Sequence, residues 1–219
     1  MKKLIIFGIG EQAEMAYYYF KNDSDYDVVG FTVDKEYIEK ESLFELPIIE
    51  FETIKLKYSI ESYELFIAIG YNKINKIRTE KYLACKEKGY MIASYISSKA
   101  SIFTDDIGEN AFILEDNTIQ PYVSIGNNVT LWSGNHIGHH SYIKDNCFIT
   151  SQVVISGGCI IGENTFIGVN ATLRNHIKIG KSNVIGAGAL ILGDTEDNKV
   201  YMEAATEVSR VPSNRLRGL

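Results

Sequence analysis

Ile161-Gly162-Glu163-Asn164-Thr165-Phe166-Ile167-Gly168-Val169-Asn170-Ala171-Thr172-Leu173 places an aliphatic residue at every sixth position. The rule extends well beyond this stretch. Ile107, Ile113, Ile119, Ile125, Leu131, Ile137, Ile143, Ile149, Ile155, Ile161, Ile167, Leu173, Ile179, Ile185 and Ile191 obey it without an insertion. A helix buries one face with a period near ~3.6 and a strand with a period of ~2, so a sustained period of six requires a chain that turns a corner after each short strand. A triangular parallel β-helix does this. One aliphatic side chain per strand points to the axis, three strands close a coil of eighteen residues, and equivalent residues stack at about 4.8 Å. Gly126-Asn127-Asn128, Lys144-Asp145-Asn146, Gly162-Glu163-Asn164 and Gly180-Lys181-Ser182-Asn183 supply corner residues tolerant of positive φ.

Residues 1–98 read differently, as a small α/β domain. Leu4–Phe7 is a buried strand, and Ala13, Ala16, Tyr17 and Phe20 recur at helical spacing after it. Val28–Phe31 is a second strand ending near Asp34, and Leu65–Gly70 a third. A polar helix from about Lys73 to Lys88 follows, which Gly89 can terminate, and Ile92–Ile96 is a last short strand. This is a parallel sheet amounting to half of a Rossmann-like fold, too short for a dinucleotide enzyme. Residues 99–197 form the β-helix, and residues 198–219 a cap or tail in which Arg210, Arg215 and Arg217 stand out.

Composition narrows the classes. A chain of 219 residues with 45% hydrophobic content can bury ordinary cores, and its net charge of −6 argues against a nucleic-acid groove. No apolar run approaches the ~20 residues of a membrane span, and Met1-Lys2-Lys3 leads into a strand, so a cytoplasmic protein without membrane insertion is expected. Cys85, Cys147 and Cys159 lack C-x-x-C spacing and read as small packing groups.

Two places carry chemistry. Gly8-Ile9-Gly10-Glu11-Gln12-Ala13 lies between strand and helix, where backbone N–H groups and the positive helix end can meet a phosphate. Asp34 at the end of the next strand would meet a ribose or base. The same glycines also serve a plain tight turn. The stronger signal is Ser133-Gly134-Asn135-His136-Ile137-Gly138-His139-His140-Ser141, which holds three of the four histidines. With Ile137 and Ile143 on the axis, His139 and His140 fall at a corner and project outward, and imidazole suits a general base at neutral pH. No carboxylate or thiolate stands at ligand spacing, so no metal is expected. Adding eighteen to 139 gives Gly157, whose N–H would lie one rung from the imidazole and could receive a developing oxyanion. Gly168–Ala171 and Gly186–Ala189 are small enough for a long thin ligand, with Arg174, Lys178 and Lys181 as nearby cations or as ordinary solvated charges.

Phe66-Ile67-Ala68-Ile69-Gly70-Tyr71-Asn72, the Ile137-Gly138-His139-His140 segment and Phe166-Ile167-Gly168-Val169-Asn170-Ala171 carry a likeness over essentially the whole chain. The sequence resembles bacterial nucleotide-sugar N-acetyltransferases of the bacillosamine pathway and sialic-acid O-acetyltransferases. The resemblance implies a left-handed β-helix, a homotrimer, a nucleotide-linked amino sugar on the N-terminal domain, and acetyl-CoA between adjacent β-helices. It implies His139 as base, with His140 and Gly157 beside it. It places coenzyme contacts on Val169 and Ala187 and nucleotide contacts on Gly10, Asp34 and Gly70; Gly157, Arg174 and Lys181 stand beside them as further coenzyme-binding candidates, and Gly8 and Asn72 as further substrate-binding ones. The sequence departs from the family at the first loop, at His140 where an acid usually follows the base, and at Phe148 where some relatives carry a coenzyme-contacting histidine. An N-acetyltransferase on a nucleotide-linked amino-deoxy sugar is the expectation. Acetylation of a sugar hydroxyl and a non-catalytic sugar-binding scaffold are the alternatives.

Overall fold

The computed structural model describes residues 2–204 and Arg215; Arg210 and Arg217 of the tail lie outside the described residues. The hexads fold into a left-handed β-helix of two-residue strands. Its first face stacks Tyr95–Ile96, Phe112–Ile113, Thr130–Leu131, Phe148–Ile149, Phe166–Ile167, Val184–Ile185 and Val200–Tyr201. The second stacks Ser101–Ile102 through His136–Ile137 and Val154–Ile155 to Leu190–Ile191, and the third Ser124–Ile125, Tyr142–Ile143, Ile160–Ile161 and Lys178–Ile179. All these pairings are parallel with a register of eighteen for the middle coils, as Thr130↔Phe148 and His136↔Val154 show. Every axial aliphatic from Ile113 to Ile185 is at most 2% exposed, and Ile107 joins the third face by a bridge to Ile125.

A second inward position lies two residues before each axial one. Val123, Val129, Cys147, Val153, Cys159 and Ala171 fill it and are buried. These side chains pack inside the coil beside the axial ones, which gives two of the three cysteines a packing role. Burial pushes the Cys147 thiol up to about 12 and raises those of Cys85 and Cys159, so none of them is a thiolate at neutral pH.

The N-terminal domain is a six-stranded sheet. β1 (Lys2–Phe7), α1 (Glu11–Asn22), β2 (Tyr26–Val33), β3 (Ser42–Leu43), β4 (Leu46–Glu50), β5 (Tyr63–Ile67), α2 (Lys76–Glu87) and β6 (Met91–Ile92) follow in chain order. The sheet order is β3-β4-β2-β1-β5-β6, and only β3 runs antiparallel to its neighbour. Gly89, with φ +86, ends α2 as expected. Two differences from the sequence reading stand out. The β3–β4 hairpin was not anticipated. The single strand expected over Ile92–Ile96 is two elements: Met91–Ile92 closes the sheet, whereas Tyr95–Ile96 pairs with Phe112–Ile113 on the first β-helix face. β-Helical pairing thus begins at Tyr95 and continues to Val200–Tyr201, past both expected limits.

The two parts share a core. The α1 side of the sheet buries Leu4, Ile6, Phe20, Phe31 and Phe66 together with Tyr95, Phe112 and Leu114 of the β-helix. The N-terminal domain therefore covers the first face, and α1 and α2 reach the two corners that flank it: Tyr19 donates to Glu115 at one and Arg78 meets Asn128 and Asn146 at the other.

Candidate active site

The corner between the second and third faces is the one the N-terminal domain leaves open, and it carries His139. Residues 138–141, 156–159 and 174–177 stack there on successive coils, because each lies between a second-face and a third-face strand. His139 and His140 are both exposed. Gln120, on the coil before, accepts the His139 backbone N–H through Oε1 at 2.8 Å, and the His139 carbonyl accepts the Gly158 N–H at 2.8 Å. His139 is thus fixed by its backbone on both neighbouring coils. Its ring lies over Gly157, where a Cβ would stand 2.8 Å from both Cε1 and Nε2. A glycine is needed here for space. The Gly157 N–H meets no acceptor among the described residues. The reason lies one coil earlier: the N–H of His139 bonds the side chain of Gln120, nineteen residues before it, and the corresponding residue for Gly157 is Gly138, which has no side chain. A base and a free amide donor consequently stand side by side facing solvent.

The ring of His139 is itself supported. Its Nδ1 lies 3.0 Å from the Nδ1 of His140, with the rings nearly perpendicular, and the His140 ring packs on Tyr122 at 4.7 Å. Tyr122, His140, Gly158 and His176 share one column, each with positive φ between 59° and 70°. Gln120 and Tyr122 were not singled out from the sequence, although each is found by stepping back along the coils from the histidines.

The remaining expected coenzyme contacts are divided among corners. Arg174 is exposed at the His139 corner. Val169 and Ala187, both exposed, lie on the corner between the first and second faces. Lys181 is on the third corner, where it is 3.9 Å from Asp197, away from both sets. Phe148 does not face that solvent: it is 2% exposed on the first face, 5.1 Å from the Tyr71 ring and beneath Arg78. The ring that stands where some relatives carry a histidine is part of the packing between the two domains. Among the described residues no group of three or more His, Cys, Asp or Glu is placed to hold a metal.

The second cluster lies at the carboxyl edge of the sheet. β2, β1 and β5 are adjacent and end together, since Phe7 pairs with both Thr32 and Ile67. Gly8, Gly10, Asp34 and Gly70 follow directly. Gly8 has φ +126, and a Cβ there would be 2.6 Å from the Ala68 carbonyl oxygen, so glycine is required for the turn itself. Gly10 and Gly70 differ, because a Cβ on either would meet nothing within 4 Å. Their backbones face open space, and Gly10 begins α1 with no side-chain cap, leaving N–H groups available. Asn72 is exposed beside Gly70. Asp34 is held by Lys81 of α2 at 2.7 Å, a partner the sequence reading did not name, and these two with Lys35, Glu36 and Glu52 line an open groove of about 520 Å³.

Two family models match this chain. The bacterial transferase hexapeptide (six repeats) model covers residues 122–157 and 158–193, which defines the class as a hexapeptide-repeat transferase. Residues 3–82 match the PglD N-terminal domain, and the chain belongs to the proteins that join this domain to hexapeptide repeats. Solved structures share the whole architecture. A single-residue mutant of perosamine N-acetyltransferase from Caulobacter crescentus, in complex with CoA and GDP-perosamine, superposes with a TM-score of 0.82 at 18% identity over 93% of this chain and 94% of that one. The acetyltransferase domain of PglB from Neisseria gonorrhoeae gives 0.79 at 19% identity over 93% and 97%. WeeI from Acinetobacter baumannii gives 0.76 at 16% over 91% and 96%. Among the described residues no helix is long and apolar enough to cross a membrane.

Proposed function

We propose that the protein is a cytoplasmic, homotrimeric, acetyl-CoA-dependent N-acetyltransferase acting on the amino group of a nucleotide-linked amino-deoxy sugar. The observation that carries this reading is the imidazole of His139 against Gly157, whose N–H has no acceptor among the described residues. The resemblance to the perosamine N-acetyltransferase and to the PglB domain supports the acceptor class. Open backbone at Gly10 and Gly70 suits a phosphate-bearing ligand on the N-terminal domain, with Gly8 shaping the turn and Asp34 and Asn72 at its margins.

In this mechanism the acceptor nitrogen forms a bond to the thioester carbonyl carbon. Nε2 of His139 takes the proton that nitrogen must lose, and the Gly157 N–H donates to the carbonyl oxygen as it gains charge. The C–S bond then breaks, and the proton held by His139 can pass to the departing sulfur, leaving amide and free coenzyme. Val169 and Ala187 on one chain and Arg174 on the next would line the coenzyme between adjacent β-helices.

Replacing His139 by Ala should abolish thiol release, a loss of at least about 100-fold in kcat, while acetyl-CoA binding by calorimetry changes little. Equal loss of binding and turnover would make His139 a structural residue. A thiol-release assay across nucleotide-linked amino sugars and free sialic acids identifies the acceptor, and turnover only with the latter would replace the amine by a hydroxyl.

A further inference from the structure

We infer that His140 is the positioning residue for the base, an imidazole doing through its Nδ1 what a carboxylate would otherwise do; this rests on the transferase reading of His139. The geometry is specific. Nδ1 of His139 and Nδ1 of His140 are 3.0 Å apart, so one carries the proton and the other accepts it. Only one of the two arrangements leaves His139 useful. If His140 donates, Nδ1 of His139 is the acceptor, and a neutral His139 must then hold its proton on Nε2, the nitrogen over Gly157. That nitrogen cannot take another. If His139 donates through Nδ1–H, its Nε2 lone pair is free toward the site. His140 then accepts at Nδ1 and keeps its own proton on Nε2. When Nε2 of His139 receives the proton of the attacking amine, the Nδ1–H···Nδ1 bond persists and shares the new positive charge with the second ring.

His140 is built to stay in this position. Its φ of +59 puts the side chain of residue 140 back toward its neighbour, a conformation unfavourable for most residues and tolerated best by glycine and asparagine. The Tyr122 ring packs on its face at 4.7 Å and 37°, which limits rotation about the ring bond. Its backbone N–H reaches the Pro121 carbonyl at 3.4 Å. The positive φ belongs to the whole column, shared with Tyr122, Gly158 and His176, so the packing on Tyr122 and the contact with the His139 ring are what single out this imidazole.

Asparagine separates the orienting role from a merely structural one. Its side-chain oxygen can occupy the place of Nδ1 as an acceptor, and it accepts positive φ. His140→Ala should lower kcat about 10- to 100-fold with KM for acetyl-CoA unchanged and the melting temperature nearly so. His140→Asn should recover most of that loss, and His140→Asp at least as much. His140→Gly relieves the backbone without offering an acceptor and should remain as slow as the alanine variant. Wild-type kcat in the alanine variant, or failure of both Asn and Asp to exceed Gly, overturns the inference. Wild-type protein measured beside them keeps the two readings apart: if it releases no thiol with any acceptor the transferase reading fails, whereas an active wild type with indifferent His140 variants sinks only the role of His140.

Discussion

At the scale of single residues, the His139 corner depends on what side chains leave empty. Gly157 is not in a positive-φ conformation, so its backbone tolerates alanine; the obstacle is the His139 ring at 2.8 Å from the added methyl. Gly157→Ala should therefore keep the melting temperature within about 1 °C and push the imidazole aside, lowering kcat about 10- to 100-fold, because a shift near ~1 Å is enough to spoil proton transfer. Unchanged kcat in a stopped thiol-release assay would mean that the ring and the amide do not act together. This pairing was readable in the sequence because coil arithmetic is rigid once the period is known. Tyr122 and Gln120 follow from the same arithmetic but carry no residue type that announces chemistry. Asp23 illustrates a residue that sequence could not reveal. It accepts from Tyr95 and from the Ser98 backbone at the end of α1, at 2.6 and 2.9 Å, and hydrogen bonds from Ser98 and then Tyr95 hold its carboxyl down to about 2. A folded-state value below the ordinary 3.8 stabilises the protein above the ordinary value, and that contribution is lost as pH falls through about 2. Thermal melts between pH 5 and pH 2 should show Asp23→Asn less stable at the upper end and converging with wild type at the lower; parallel curves would exclude the contribution.

Among elements, the hexads announced themselves because each coil repeats the same local solution, whereas the hairpin of β3 and β4 stayed hidden. Its turn is Phe44-Glu45, with φ of +51 and +64, and neither residue is of the Gly or Asn type that marks such turns. Tyr17 stacks on Phe44 at 4.6 Å, so tertiary packing holds a turn that local propensity opposes. A second feature was present in the sequence yet unread as a unit. Asn110, Asn128, Asn146 and Asn164 stand eighteen apart, all with φ between +52 and +63, and Asn110 donates to Asn128, which donates to Asn146, each at 2.7 Å. The ladder is also the docking strip for the N-terminal domain. Asn110 exchanges hydrogen bonds with the backbone of Ile67 in β5, Asn164 receives Asn75 and Thr79, and Asn128 receives Arg78. Asn128→Ala places a Cβ-only residue at positive φ and removes buried bonds on both sides, for a cost of about 2–4 kcal/mol. Urea denaturation should show it, and a loss below about 1 kcal/mol would mean that the ladder is not a stabilising unit.

For the whole molecule, the decisive fact is that one chain does not bring its two candidate half-sites to one edge. The N-terminal domain sits on the first face, fixed at one flank by Tyr19 on Glu115 and at the other by Arg78. Arg78 is fully buried; it reaches Asn128, Asn146, Cys147 and Asn75, and burial lowers its guanidinium to about 10, so it remains charged at neutral pH. His139 projects from the corner opposite that face, and Val169 and Ala187 lie on yet another corner. Rotation of the domain to the His139 corner would tear out Arg78 and expose the shared aromatic core of Phe66, Tyr95 and Phe112, a far larger loss than a flexible closure supplies. On the proposed function, then, His139 serves a substrate held by a neighbouring chain around a threefold axis. Two inactive variants should complement. His139→Ala removes the base, and Gly10→Glu adds a negative charge in the open space at the start of α1, where the helix end accepts it and a phosphate is repelled. When the two are co-expressed in equal amounts and assemble at random, about one site in four joins an intact base to an intact substrate domain if the two come from different chains. Thiol release should return to about a quarter of the wild-type rate in the mixture. If base and substrate domain of one site belonged to the same chain, no intact site would form, and the mixture would stay as inactive as either variant alone.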